Sequence, residues 1–312
     1  MSDFGLGTRE DVFISYHPAV NLLYFTAVMG YAMSFANPLC LAISLVCASA
    51  YSLYVNGKKA ARFALVYMLP MLVFTALINP AFNHRGVTIL AYFPSGNPLT
   101  LESILYGIAA ATMLVTALFW FGRFNAVITS DKLIYLFGSL APALSLVLTM
   151  SLRLVPRYRA RLDVIRDARA AAGPGAGPHT VPHAGRGSLA ARLRGAVKTR
   201  SILITWALEN AIETADSMKA RGYGLPGRTA FSIYRFDARD KKALLYIIAC
   251  AAFVAAGAMA GAYSFRYFPS IKGGWGGAHA VIAYAAYLML CAFPLIINIM
   301  DDLLWKSIES KI

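Results

Sequence analysis

Long runs of apolar residues dominate the chain, and polar residues are concentrated between them. About 20 helical residues cross the hydrocarbon core of a bilayer, roughly 30 Å thick, so runs of this length predict transmembrane helices. We predict six spans, near residues 20–35, 39–55, 63–79, 103–122, 243–262 and 278–300. The pattern therefore predicts an all-α integral membrane protein.

Composition supports this class, since 58% of the residues are apolar and only 14% are charged, far from the averages of soluble domains. The first apolar run does not resemble a cleaved signal peptide. Arg9, Glu10 and Asp11 precede it without a basic region, and a second apolar run follows at once. We expect the N-terminus to be kept.

Positive charge is concentrated between residues 123 and 242, which hold 20 of the 29 Lys and Arg but only 8 of the 15 Asp and Glu. A seventh uncharged run, 133–152, lies inside this stretch. With six spans the positive-inside rule places 26 basic residues in the cytoplasm and 3 outside, whereas with seven spans the counts are 21 and 8. We therefore predict that 133–152 belongs to a cytoplasmic insert.

The insert is predicted to contain three helices. A short helix begins at Thr129, Ser130 and Asp131, where an N-cap and an early acid stand, and ends near Gly138. A second covers 141–172 and is bent by Pro156, and a third covers 189–221. Gly and Pro are dense over 173–187, which predicts a flexible linker. The predicted organisation is thus a four-helix membrane part, 1–122, a cytoplasmic module, 123–242, and a two-helix membrane part, 243–312.

The third helix is amphipathic and has a marked C-terminal end. Gly222 follows its last turn and Pro226 stands just beyond, a typical glycine stop signal. Arg221 lies at this end, where exposed carbonyls favour a cation. An apolar stripe runs along the helix and consists of Ile204, Leu208, Ala211, Ile212, Ala215 and Met218. An acidic row lies beside the stripe and consists of Glu209, Glu213 and Asp216.

Several segments together resemble one membrane protein family. ADSMKARGYG, residues 215–224, is similar to the second Ala-Arg-Gly motif of the transmembrane T component of energy-coupling factor transporters, the EcfT or CbiQ family. HPAVNLLYFTAVM from His17, the Asn37-Pro38 turn and SLRLVP from Ser151 resemble further segments of that family, in the same order. The order of membrane spans, cytoplasmic coupling helices and membrane spans also fits.

The resemblance implies a non-catalytic scaffold. T components join two ABC-type ATPase subunits, which hydrolyse ATP, to a membrane S component that binds a vitamin or a transition-metal ion. The match implies that Ala220, Arg221 and Gly222 enter a groove of one ATPase. It also implies a multi-pass protein in the lipid bilayer of a bacterial or archaeal cell membrane. The charge count for six spans places both termini and the coupling helices in the cytoplasm.

The first motif departs from the family pattern. Its expected position is 168–173, where Ala172 stands in place of the motif arginine, next to Gly173. Arg169, which follows Ala168 and lies three residues before Ala172, is a candidate to replace the motif arginine in ATPase docking. The alternative interpretation is that Arg169 is an ordinary solvated arginine. The family's S-component contact falls on Leu144, Leu148, Leu152 and Val155, for which packing against the third coupling helix is the alternative.

Other chemistries find little support. The chain has no GxxxxGK[ST] phosphate loop and its cysteines have no metal-ligand spacing, so we expect no ATPase activity, no metal and no cofactor, and no nucleic-acid partner. His84 and Arg85, in the loop 80–101, are interpreted as satisfying local backbone groups, with an anion site as the alternative. A self-sufficient secondary transporter or a membrane-embedded lipid-modifying enzyme remains the competing class of function.

Overall fold

The computed structural model describes residues 11–92, 97–171, 189–223, 234–273 and 278–310. These residues are mostly helical. In chain order the elements are a 3-10 turn Val12–Ser15, α1 Pro18–Ser34, α2 Pro38–Phe63, a π-helical segment Ala64–Met68, α3 Leu69–Phe82, β1 Ile89–Tyr92, β2 Pro98–Thr100, α4 Leu101–Val127, α5 Ser130–Leu140, α6 Pro142–Ala171, α7 Leu189–Ala220, α8 Ala238–Met259 and α9 Ala278–Glu309.

Four helical runs of the described chain are long and apolar enough to cross a membrane: Pro38–Phe82, Leu101–Val127, Ala238–Met259 and His279–Glu309. The chain is therefore a helical membrane protein. The run Pro38–Phe82 contains both the second and the third predicted span. It is kinked at Gly57, whose φ of 52° and ψ of −130° are not helical. Helix α1, over the first predicted span, has 17 residues.

The chain divides into two compact units. The membrane unit consists of Met1–Leu133 and Tyr234–Ile312, and the inserted unit consists of Ile134–Ile233. In the membrane unit α4 packs against α1, α2 and α3, and α9 packs against α2 and α8.

Aromatic residues fill the core of the membrane unit. Trp120, Tyr24 and Tyr51 are fully buried, and the Trp120 ring lies 6.1 Å from that of Tyr24. Their polar atoms are satisfied across helices, since Trp120 Nε1 donates to Ser44 Oγ at 2.9 Å and the Tyr24 hydroxyl donates to the Cys291 carbonyl at 3.2 Å. Such side chains join apolar packing to directed hydrogen bonds where no water is available.

The all-α prediction misses a small antiparallel hairpin, formed by β1 and β2 in the loop before α4. Glu102, buried in the first turn of α4, accepts hydrogen bonds from the Thr88 amide at 3.2 Å and the Thr88 hydroxyl at 2.9 Å. Gly86 has a φ of +146°, and a Cβ there would lie 2.6 Å from Glu102 Oε2. The hairpin thus depends on glycine at this position.

The three helices predicted for the insert are present as α5, α6 and α7. Their observed bounds lie within two residues of the predicted ones. The uncharged run 133–152 is not one continuous helix, because α5 ends at Leu140 and α6 begins at Pro142. Pro156 lies inside α6.

Candidate docking site

The C-terminal end of α7 forms a glycine cap of the Schellman type. Gly222 has a φ of +76°. Its amide donates to the Lys219 carbonyl at 3.0 Å, and the Tyr223 amide donates to the Met218 carbonyl at 3.0 Å. The predicted glycine stop is therefore confirmed. Only a residue that tolerates a left-handed backbone fits this position without strain.

This cap displays Arg221. The residue follows the last helical residue, Ala220, and its side chain is exposed, as is Ala220. The guanidinium keeps its charge and makes several directed hydrogen bonds to carboxylates or carbonyls. The small neighbours Ala220 and Gly222 leave room for a partner surface to approach it closely. The end of α7 is thus suited to enter an acidic or carbonyl-lined groove.

The apolar stripe of α7 is exposed. Ile204, Leu208 and Ile212 follow one another at four-residue spacing on one face and are 59%, 62% and 65% exposed. The acidic row beside the stripe, Glu209, Glu213 and Asp216, is exposed as well. The stripe therefore does not supply the packed face of α7 within the described chain.

A different face of α7 packs against α6, and Trp206 is at its centre. The guanidinium carbons of Arg157 and Arg161 lie 5.7 and 5.1 Å from the centre of the Trp206 ring, and Tyr158 meets the ring edge-on at 5.8 Å. Cations over an indole ring are attracted by its quadrupole. This contact was not predicted from the sequence, although Arg157 and Arg161 at i and i+4 share a helix face.

The predicted S-component contacts on α6 are partly described. Leu148, Leu152 and Val155 are each about half exposed. The side chain of Leu144 lies outside the described part. Ile165, two turns beyond Tyr158 on the same face, is buried.

The eroded first motif is described only at its start. Ala168 is exposed near the end of α6. The side chain of Arg169 and the whole of Ala172 and Gly173 lie outside the described residues. Ala168 is therefore the only proposed docking residue of the first motif whose side chain is described.

Two charges that the sequence analysis treated as cytoplasmic surface charge are buried. Arg123 is 3% exposed and pairs with Asp11 at 2.5 Å; Lys132 is also 3% exposed. The pairing was not predictable, because Asp11 and Arg123 are 112 residues apart. The sequence feature that could have indicated a buried charge is the position of Arg123 directly after the 20-residue apolar run 103–122.

Among the described residues, no group of three or more His, Cys, Asp or Glu is placed to hold a metal ion. The four cysteines are free thiols, three of them buried. Arg85 lies beside the hairpin, where its carbonyl accepts from the Thr100 hydroxyl at 2.8 Å.

Comparison of the whole chain with protein-family models and with curated proteins finds no match. The resemblance to the T component family stays a prediction from the residues that carry it.

Proposed function

We propose that this chain is the T component of an energy-coupling factor importer. In this role it joins two ABC-type ATPase subunits to an S component that binds a vitamin or a transition-metal ion, and the partners hydrolyse the ATP. The observation that carries the proposal is the end of α7, where a glycine cap displays Arg221 between small residues after a helix of 32 residues.

The proposal includes six membrane spans. As one straight helix, the 45-residue run Pro38–Phe82 would extend about 68 Å, twice the hydrocarbon thickness. The kink at Gly57 divides it into parts of about 28 and 38 Å, each sufficient for one crossing. Basic residues Lys58, Lys59 and Arg62 follow the kink, which favours a cytoplasmic turn there. With α1 as the first span, both termini and α5–α7 are then cytoplasmic.

Exposed apolar residues on α6 and α7 supply the surface for the S component. Leu148, Leu152 and Val155 on α6 and the stripe Ile204, Leu208 and Ile212 on α7 are exposed in the described chain. Burying such side chains against a partner gains roughly 25 cal/mol for each Å² of apolar surface removed from water. A partner with an apolar helix face fits each set.

The test is a charge reversal at the proposed plug. Arg221→Glu places a carboxylate where the partner groove is expected to accept hydrogen bonds, so ATPase subunits should copurify at least tenfold less and substrate uptake should fall with them. Arg200→Glu is the matched control, because Arg200 is also an exposed arginine on α7 and lies well before the Gly222 cap. It should leave both measurements unchanged.

Normal assembly and uptake with Arg221→Glu would show that Arg221 is not the plug. Substrate transport or lipid turnover by the purified chain without ATPase subunits would overturn the scaffold role altogether. Transport by the chain alone would favour a secondary transporter, and lipid turnover would favour a membrane-embedded enzyme.

A further inference from the structure

The residues just before α1 cross several helices of the membrane unit. Asp11–His17, here called the N-terminal strap, contains the 3-10 turn Val12–Ser15 and ends at the N-cap of α1. Phe13 within it is fully buried and lies 5.2 Å from the Tyr24 ring. The strap is therefore part of the packed core.

One carboxylate of the strap binds three helices. Asp11 Oδ2 accepts from Arg123 on α4 at 2.5 Å and from the Tyr51 hydroxyl on α2 at 2.6 Å. Its Oδ1 accepts from Asn298 Nδ2 on α9 at 3.0 Å, and Asn298 Oδ1 accepts from the Val12 amide at 2.9 Å. The Arg123 guanidinium also lies 4.6 Å over the Tyr51 ring. A buried charge satisfied from several directions holds its position tightly.

The strap also holds the segment where the chain leaves the membrane unit, which ends at Leu133. Lys132 Nζ donates to the Ile14 carbonyl at 2.6 Å. Lys132 is buried, and burial lowers its pKa, an effect that the Asp11 charge opposes. Arg123, about one turn before the end of α4, is held by the same strap through Asp11.

The segment where the chain returns is held by the same strap. The membrane unit resumes at Tyr234. Asp240 Oδ1 accepts from the His17 amide at 3.1 Å, and the His17 ring meets Phe236 edge-on at 4.9 Å. Arg239 donates to Ser15 Oγ at 3.0 Å and lies 4.4 Å over the Tyr16 ring.

We propose that the N-terminal strap is a joint that holds the exit and the return of the inserted unit at a fixed separation. The Asp11–Arg123 pair is its lock. Seven consecutive residues bind both connections, so release of the lock frees both together while the aromatic core between the helices persists. This inference concerns the packing of the membrane unit around the two connections and does not need the proposed transport role.

Hydrogen–deuterium exchange on the full chain in lipid nanodiscs tests the joint. Asp11→Asn removes the charge that holds Arg123, Tyr51 and Asn298. Amides of residues 11–17, 128–133 and 234–240 should then exchange about tenfold faster, while those of α9 stay protected. If Asp11→Asn does not insert into the membrane, Arg123→Lys replaces it in the same exchange measurement. This variant keeps the positive charge but loses the planar guanidinium that binds Asp11.

Asp302→Asn is the matched control. The Tyr54 hydroxyl donates to Asp302 and so also links α2 to α9 through a tyrosine–aspartate contact, without involving the strap. Asp302→Asn should leave hydrogen exchange unchanged in both connecting segments, 128–133 and 234–240. Faster exchange at one connection only, or equal acceleration by Asp302→Asn, would show that the strap is not a joint.

Discussion

Gly222 is the point at which local backbone geometry sets the end of α7. Its φ of +76° lies in the left-handed region, which costs other residues roughly 1–2 kcal/mol. Gly222→Ala should therefore loosen the two cap hydrogen bonds, so that amides 219–223 exchange roughly tenfold faster. Hydrogen exchange of the purified chain measures this directly.

Gly30→Ala serves as the comparison for that substitution. Gly30 lies inside α1 with nothing within 4 Å of an added Cβ. An alanine there meets neither strain nor collision, and local exchange should stay slow. Unchanged exchange at 219–223 in Gly222→Ala would mean that the cap does not hold the end of the helix.

The contact between α6 and α7 is concentrated on Trp206. Trp206→Ala removes two cation–π contacts and one edge-on ring contact, and each cation–π contact contributes about 0.5–1 kcal/mol when partly exposed. Exchange should accelerate in both helices around residues 157–161 and 203–207. Trp206→Phe should give a smaller increase, because a phenyl ring retains part of the contact.

Trp305→Ala controls for the loss of a tryptophan. Trp305 lies on α9 and is 65% exposed, so its removal should leave α6 and α7 unchanged. If Trp206→Ala accelerated exchange in α7 alone, the ring would be stabilising its own helix and not the pair.

The elements of the insert were predictable because their signals are local. The Ser130 region and the Gly222 stop each depend on a few neighbouring residues, so the bounds of α5–α7 followed closely. The predicted linker, 173–187, lies outside the described residues. The packed face of α7 was not predictable. The most apolar stripe, through Ile204 and Leu208, is exposed, whereas Trp206 contacts α6 through arginines that carry no apolar signal.

Contacts between residues far apart in the chain could not be predicted from the sequence. Asp11 meets Asn298 across 287 positions, and no periodicity records such a pairing. The hairpin was also missed, since β1 and β2 have four and three residues and stand among Pro, Gly and Asn that predict irregular loops.

The arrangement of the whole chain in the membrane gives a separate prediction. With six spans, Lys59 after the Gly57 kink and Val87 just before β1 face opposite sides, and both are exposed. In a chain with Cys250→Ala, Val87→Cys should react with an impermeant maleimide on intact cells. Lys59→Cys should react only after permeabilisation. Labelling of both from outside would exclude the six-span topology.

The N-terminal strap also sets an order for biogenesis. Asp11 is synthesised before its partners Arg123 and Asn298, and Asn298 stands on α9. Until α9 has been inserted, the Asp11 carboxylate lacks its Asn298 partner and Val12 lacks its acceptor. Closure of the strap is therefore a signature of a fully synthesised membrane unit, and a chain truncated before α9 leaves it incomplete.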